Sequence, residues 1–358
     1  MDTGTILKLI AGLVLLVGGA EALVRGSSGL AARAGLSQLV IGLTVVAFGT
    51  SSPEMAVSLS AAVKGKSDLA LGNVVGSNIF NVLFILGLCA AVTPLAVSRQ
   101  LIRLDVPIMV GVSLLALLFG WDGRISRPEG VFLVMGLILY VAVLLRLGRQ
   151  AGPAEGFPPR ARPDPVGLQV VLVLSGLALL GLGSRWLVSG AVSIARGFGL
   201  SELIIGLTIV AAGTSLPEVA SSVMATLRGQ RDIAVGNVVG SNIFNILGVL
   251  GLSAVIAPAG IRVVKPALTF DLPIMIAVAF ACLPIFFTGH RIARWEGWLF
   301  LFYYVAYTAF LVLDAQDHDA APVLGRFLLT FVIPLTVITL GVVVARHRRA
   351  HGHRGVVP

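Results

Sequence analysis

TSSPEMAVSLSAAVKGKSDLALGNVVGSNIFN at residues 50–81 and TSLPEVASSVMATLRGQRDIAVGNVVGSNIFN at residues 214–245 are identical at 20 of 32 positions without a gap. Chance does not produce that, so the chain carries two copies of one structural unit. The likeness extends outward. IRLDVPIM at 102–109 answers LTFDLPIM at 268–275, and RISRPEG at 124–130 answers RIARWEG at 291–297.

The sequence around these repeats is apolar, with 57% of 358 residues hydrophobic and 12% charged. Soluble domains carry about 25% charged residues, so a water-soluble enzyme is excluded and a polytopic all-α membrane protein is expected. The 42 glycines and 17 prolines suit membrane helices, where both are tolerated. A helix needs about 20 apolar residues to cross the hydrocarbon. Ten such segments fall near 5–26, 37–64, 68–92, 104–120, 128–146, 167–190, 201–228, 232–257, 269–287 and 294–314, and an eleventh near 322–345. Between the fifth and sixth lies RLGRQAGPAEGFPPRARPDPVG, a Pro/Gly/Arg segment too polar for lipid and suited to a linker. The organisation is therefore a first repeat over 1–146, a cytoplasmic linker over 147–166, a second repeat over 167–314, and an extra span with a basic His/Arg-rich tail over 315–358. Five spans per half is an odd number, so the halves enter the membrane from opposite sides. Such inverted repeats are a feature of secondary transporters.

The net charge of +9 comes from basic residues scattered singly or in pairs, with no aromatic-interleaved patch for nucleic acid. Their expected work is orientation. With the N-terminus outside, Lys8, Lys64, Lys66, Arg124, Arg127, Arg196, Arg262, Lys265 and Arg326 lie in outer connections, Arg185 lies within a span, and the other 16 of the 26 Lys and Arg lie inside. The positive-inside rule then places both the linker and the C-terminus in the cytoplasm. Cys89 and Cys282 sit in apolar runs, as packing residues and not a disulfide or metal framework. The first apolar stretch lacks a basic lead and a small-residue cleavage site, so it is expected to be a retained helix.

Glu54 and Glu218 fall at the middle of the second and seventh spans, where an uncompensated carboxylate costs at least about 2.5 kcal/mol. Each follows a proline, which removes a helical N–H and frees carbonyls around Gly49–Thr50 and Gly213–Thr214. Thr50 with Glu54, and Thr214 with Glu218, share a helix face at i,i+4, as do Ser77 with Asn81 and Ser241 with Asn245. Oxygen donors with little nitrogen or sulfur suit Ca²⁺ or Na⁺ over zinc or copper. Asn73, Asn237, Asn78, Asn242 and the glycines of the GxxGSN stretches are open to two readings, helix packing or ion site. Glu21 and Arg185 occupy equivalent places with opposite sign and are read as separate interfacial charges. Asp105 and Asp271 are read as helix N-caps.

GTSSPE at 49–54 with GSNIFN at 76–81, and GTSLPE at 213–218 with GSNIFN at 240–245, resemble the paired alpha repeats of the sodium/calcium exchanger family, within the cation/calcium antiporter superfamily, in its prokaryotic form without a large regulatory loop. The resemblance implies a ten-helix, 5+5 inverted-repeat antiporter with broken second, third, seventh and eighth helices. It implies Ca²⁺ held by the Glu54 and Glu218 carboxylates and the backbone carbonyls of Thr50 and Thr214. It places Na⁺ or other coupling ions at Ala47, Ser51, Ser77, Ala211, Ser215 and Ser241, with Asn81 and Asn245 near the centre. No cofactor is implied beyond the transported ions, and the lipid bilayer is the other partner. Well-described sodium-coupled members commonly place Asp at one of the two central amide positions, whereas both are Asn here. The site charge is then −2, which one Ca²⁺, two monovalent cations or two protons would balance. Ca²⁺/Na⁺ and Ca²⁺/H⁺ exchange both remain open on these residues, in a prokaryotic inner membrane. A cation channel is a remote alternative, which strict coupling to an opposing gradient would separate from an antiporter. An intramembrane hydrolase would need an aspartate pair or a Ser–His dyad within the spans, and His290 lies at the end of the ninth span, with Asp105 and Asp271 at helix starts.

Overall fold

The computed structural model describes residues 3–150, 165–198, 209, 211–316, 318 and 320–327, with single positions at 337, 341 and 345. Most of the expected linker and of the eleventh span therefore lies outside the described residues, as does the start of the seventh span. The helices used below are α1 (Thr3–Ala34), α2 (Gln38–Thr50), α3 (Ser52–Val63), α4 (Ser67–Val92), α5 (Leu101–Phe119), α6 (Arg127–Gly148), α7 (Val166–Gly197), α8 (Leu216–Leu227), α9 (Arg231–Ile256), α10 (Ala267–Phe287) and α11 (Arg294–Asp314). Among the described residues, eight helices are long and apolar enough to cross a membrane, and the bent pair α2 and α3 makes a ninth crossing.

The second span breaks where proline requires. α2 and α3 meet at Ser51 (φ −78°, ψ 6°) and diverge by 47°, and α8 starts after Ser215 in the same conformation (φ −89°, ψ 7°). Pro53 and Pro217 take the first turn of the new helices, where a missing N–H costs least. The third and eighth spans correct the expectation of breaks. α4 and α9 each run 26 residues without interruption because neither contains a proline. They loosen instead into π-helical turns at Asn81–Leu86 and Asn245–Leu250. Turns of this kind gather at functional positions, and here each begins on a motif asparagine. Between α3 and α4 the chain reverses at Gly65 (φ 69°), and between α8 and α9 at Gly229 (φ 74°), a backbone state that glycine adopts without a steric penalty.

Helix packing rests on glycine. On α1, Gly12, Gly19 and Gly26 recur every seven residues, and on antiparallel α7 so do Gly176, Gly183 and Gly190. A Cβ added at Gly12 would come within 2.9 Å of the Gly183 carbonyl oxygen, and one at Gly19 within 2.8 Å of the Leu180 nitrogen. Backbones can approach this closely only where side chains are absent. The halves also interlock. Gly87 on α4 meets Gly297 on α11, and Gly251 on α9 meets Gly130 on α6, so the fifth helix of each half packs against the third helix of the other.

Two short antiparallel strand pairs tie the loops. β1 (Leu95–Ala96) pairs with β4 (Arg291–Ile292), and β2 (Arg124–Ile125) with β3 (Ile261–Arg262). Each joins a connection of one half to a connection of the other on the same face, as inversion demands. α4 and α9 are the most enclosed helices, with about four-fifths of their apolar windows buried. The centre of the molecule is therefore where the repeated motifs lie.

Candidate ion-binding site

Glu54 and Glu218 stand in the first turns of α3 and α8. The positive end of a half-helix favours a carboxylate, and this supplies part of the compensation that mid-membrane acids require. Both are fully buried. Their hydroxyl partners come from the opposite repeat. Ser51 Oγ donates to Glu218 Oε1 at 3.0 Å, and Ser215 Oγ donates to Glu54 Oε1 at 2.8 Å. Ser77 Oγ lies 3.3 Å from Ser215 Oγ. This corrects the i,i+4 pairing of Thr50 with Glu54, because the break at Ser51 removes the helical spacing on which it depended. Thr50 Oγ1 faces Asn237 Oδ1 at 3.2 Å instead.

Four asparagines form a clamp between the halves. Asn78 Nδ2 donates to the Asn242 backbone oxygen at 3.2 Å, and Asn242 Nδ2 to the Asn78 backbone oxygen at 3.3 Å. Asn81 Nδ2 donates to Asn242 Oδ1, and Asn245 Nδ2 to Asn78 Oδ1, both at 3.0 Å. Each amide of Asn81 and Asn245 thus spends a hydrogen on the clamp, and its Oδ1 is left buried without a hydrogen-bond partner among the described residues. The same holds for Glu54 Oε2, Glu218 Oε2, Thr214 Oγ1 and Ser241 Oγ. Buried oxygens without donors cost about 1–3 kcal/mol each, and a cation would satisfy them. The donors are all hard oxygens, and among the described residues no three His, Cys, Asp or Glu side chains gather, which suits Ca²⁺ or Na⁺ over a transition metal.

The remaining motif residues support this centre. Asn73 Nδ2 donates to the Glu54 carbonyl oxygen at 3.1 Å and to Ser58 Oγ at 2.9 Å, while Asn237 Nδ2 reaches Ser221 and Ser222 at 3.0 and 2.9 Å. Ala47 is buried against the close approach of Gly240. Ala211 opens a helical turn, Ala211–Gly213, and its side chain is not among those described. The carbonyl freed by Pro217 is engaged, since Ser184 Oγ on α7 donates to the Gly213 oxygen at 2.6 Å. Position 20, the counterpart of Ser184 in α1, is alanine. Pseudo-symmetry therefore gives no sign of this contact in the sequence.

Two expectations outside the centre change. Asp105 and Asp271 do not cap their helices. Tyr140 Oη donates to Asp105 at 3.0 Å and Gln100 Nε2 at 3.2 Å, and Tyr307 Oη donates to Asp271 at 3.3 Å. A tyrosine hydroxyl one helix away provides the donor that the helix's own first turn does not. Glu21 gains a partner in Arg228 and does not pair with Arg185, because the C-terminal half of α1 lies beside the α8–α9 turn. Arg185 remains exposed on α7.

Two inverted five-helix units, closed around buried acids and unpartnered oxygens at a helix break, define a membrane transporter of the antiporter class and not an enzyme. The chain belongs to the sodium/calcium exchanger family, whose description, Sodium/calcium exchanger protein, matches residues 5–146 and 168–313. It is similar to the inner membrane protein YrbG of Escherichia coli, at 41% identity over 77% of this chain and 87% of that protein. It is also similar to the sodium/calcium exchanger MaX1 of Methanosarcina acetivorans, at 34% identity over 87% of this chain and 99% of that protein. A solved structure of the sodium-calcium exchanger NCX_Mj, soaked with Na⁺ and Ca²⁺, superimposes with a TM-score of 0.73 at 31% identity, covering 86% of this chain and 99% of that one.

Proposed function

We propose that this protein exchanges Ca²⁺ for Na⁺ across the membrane by alternating access. The observation that carries the reading is the buried oxygen set. Glu54 Oε2, Glu218 Oε2, Asn81 Oδ1 and Asn245 Oδ1 lack hydrogen-bond partners among the described residues, while their other atoms are fixed by the opposite repeat. Ca²⁺ takes the two glutamate carboxylates with the backbone carbonyls of Thr50 and Thr214. Na⁺ takes positions lined by Ser51, Ser77, Ser215 and Ser241, with Ala47 and Ala211 bounding them, and one hydrated face closes as the other opens. The names of MaX1 and NCX_Mj support Na⁺ and Ca²⁺ as the ions. That of YrbG supports an inner membrane, and the distribution of Lys and Arg supports an N-terminus outside with the linker at 147–166 and the C-terminus in the cytoplasm.

Ca²⁺/H⁺ exchange is the second reading. The two carboxylates would be balanced equally by two protons, and both central amides are neutral. The hydroxyls of Ser51, Ser77, Ser215 and Ser241 favour Na⁺, because a proton needs only a carboxylate. The test is Ca²⁺ uptake into proteoliposomes loaded with Na⁺ at equal pH on both sides. Uptake is expected there, and Ser51→Ala or Ser77→Ala weakens it. Glu54→Gln and Glu218→Gln each abolish it in protein that still folds, since an amide matches the volume but not the charge. Uptake driven only by a pH gradient replaces sodium with the proton, and retained flux in either glutamine variant overturns the site.

A further inference from the structure

A cavity of about 220 Å³ lies at one end of the helix bundle, lined by Arg99, Ile102, Arg103, Phe287 and His290. None of the ion-site residues borders it. It sits where α5 begins and α10 ends, at the edge of the hydrocarbon. Its wall is fixed by the β1–β4 pair and by Val97 N–H, which donates to the His290 carbonyl at 2.9 Å. His290 is the one non-glycine residue among those described with a positive φ, 52°, a conformation that neighbouring structure must impose on such a residue. Among the described residues neither Arg99 nor Arg103 has an acidic partner.

The inverted repeat supplies a control on the opposite face. The motif alignment puts Lys265 at the place of Arg99, Thr269 at that of Arg103 and Gly123 at that of His290. In that turn Asp122 accepts a hydrogen bond from the Arg124 N–H at 3.1 Å. The fold therefore does not require two guanidinium groups and an imidazole together, and they occur only on the face that the charge count assigns to the cytoplasm.

We propose that this cavity binds the phosphodiester headgroup of an anionic phospholipid, with Arg99 and Arg103 on the phosphate oxygens and Ile102 and Phe287 against the glycerol and first methylenes. A guanidinium fork matches phosphate geometry, and basic pockets between membrane helices at this depth select anionic lipid. The inference is independent of the ion that drives transport.

The test is native mass spectrometry of the full chain in detergent, titrated with phosphatidylglycerol or phosphatidylcholine. Phosphatidylglycerol is expected to bind tighter. Arg99→Ala with Arg103→Ala should weaken it about 30-fold, from roughly 1 kcal/mol per basic residue at the membrane surface. Arg99→Lys with Arg103→Lys should recover part of that loss, and Lys265→Ala with Thr269→Ala should change nothing. Melting temperatures of all variants keep folding separate from binding. Equal phosphatidylglycerol affinity in the double alanine variant overturns the site. Displacement of the lipid by millimolar inorganic phosphate overturns the lipid assignment in favour of a free phosphate.

Discussion

At the scale of single residues, each half completes the other's chemistry. Ser51 serves Glu218 and Ser215 serves Glu54, so neither repeat holds a finished site. The acids were legible in the sequence, because a carboxylate at mid-membrane cannot be there for packing. The crossing of their partners was not, since it depends on where the chain turns after Thr50. The clamp was half legible. Asn81 and Asn245 could be placed from their i,i+4 relation to serine, whereas Asn78 and Asn242, on another face, read equally as glue and turn out to orient the central amides. Asn245→Asp tests that arrangement. It adds the charge that the −2 centre lacks, and should raise apparent Na⁺ affinity in the uptake assay. It also replaces the Nδ2 that donates to Asn78 Oδ1 at 3.0 Å with an oxygen, and two acceptors then face one another. The loss of a buried hydrogen bond with an acceptor left unpaired costs about 1–3 kcal/mol, so the melting temperature in Na⁺-free buffer should fall. Unchanged stability there would mean that the clamp does not hold the amide.

At the scale of elements, the breaks and the close packings have different sources of legibility. Pro53 and Pro217 announce the broken second and seventh spans directly. The continuity of α4 and α9 is equally local, because a proline-free helix has no reason to stop, yet the family resemblance pointed to breaks there. The packing of α1 on α7 was present as glycines at intervals of seven and becomes meaningful only when the antiparallel partner is known. Neighbouring residues on α1 make the test. An added Cβ at Gly19 meets backbone at 2.8 Å, whereas one at Gly18 meets nothing within 4 Å in the described structure. Gly19→Ala should therefore destabilise the protein by about 1–3 kcal/mol through overpacking, and Gly18→Ala should be neutral or slightly stabilising through helix propensity. Thermal unfolding in one detergent compares the two, and equal melting temperatures would sink the close-packing account.

At the scale of the whole molecule, inversion follows from parity, five spans per half, and from the strand pairs that join 93–100 to 288–293 and 120–126 to 257–266 across the two repeats. These contacts fix which connections share a face without saying which face meets the cytoplasm. The Glu21–Arg228 pair agrees, linking the C-terminal half of α1 to the α8–α9 turn; with 32% of the Glu21 side chain and 49% of that of Arg228 exposed, it contributes little to stability. We propose the orientation from the sequence: the expected spans put nine basic residues on one side and 16 on the other, and the positive-inside rule favours the richer side as cytoplasmic. A single cysteine placed by Ala154→Cys, within the linker, or by Gly352→Cys, within the tail, is expected to react with a membrane-impermeant maleimide only in inside-out vesicles, in a background lacking Cys89 and Cys282. Both are buried in the native protein, and their removal leaves no competing thiol. Labelling of Ala154→Cys from the outside of intact cells would invert the whole assignment, cavity and all. External labelling of Gly352→Cys alone would leave the ten-helix body as oriented and remove the eleventh crossing.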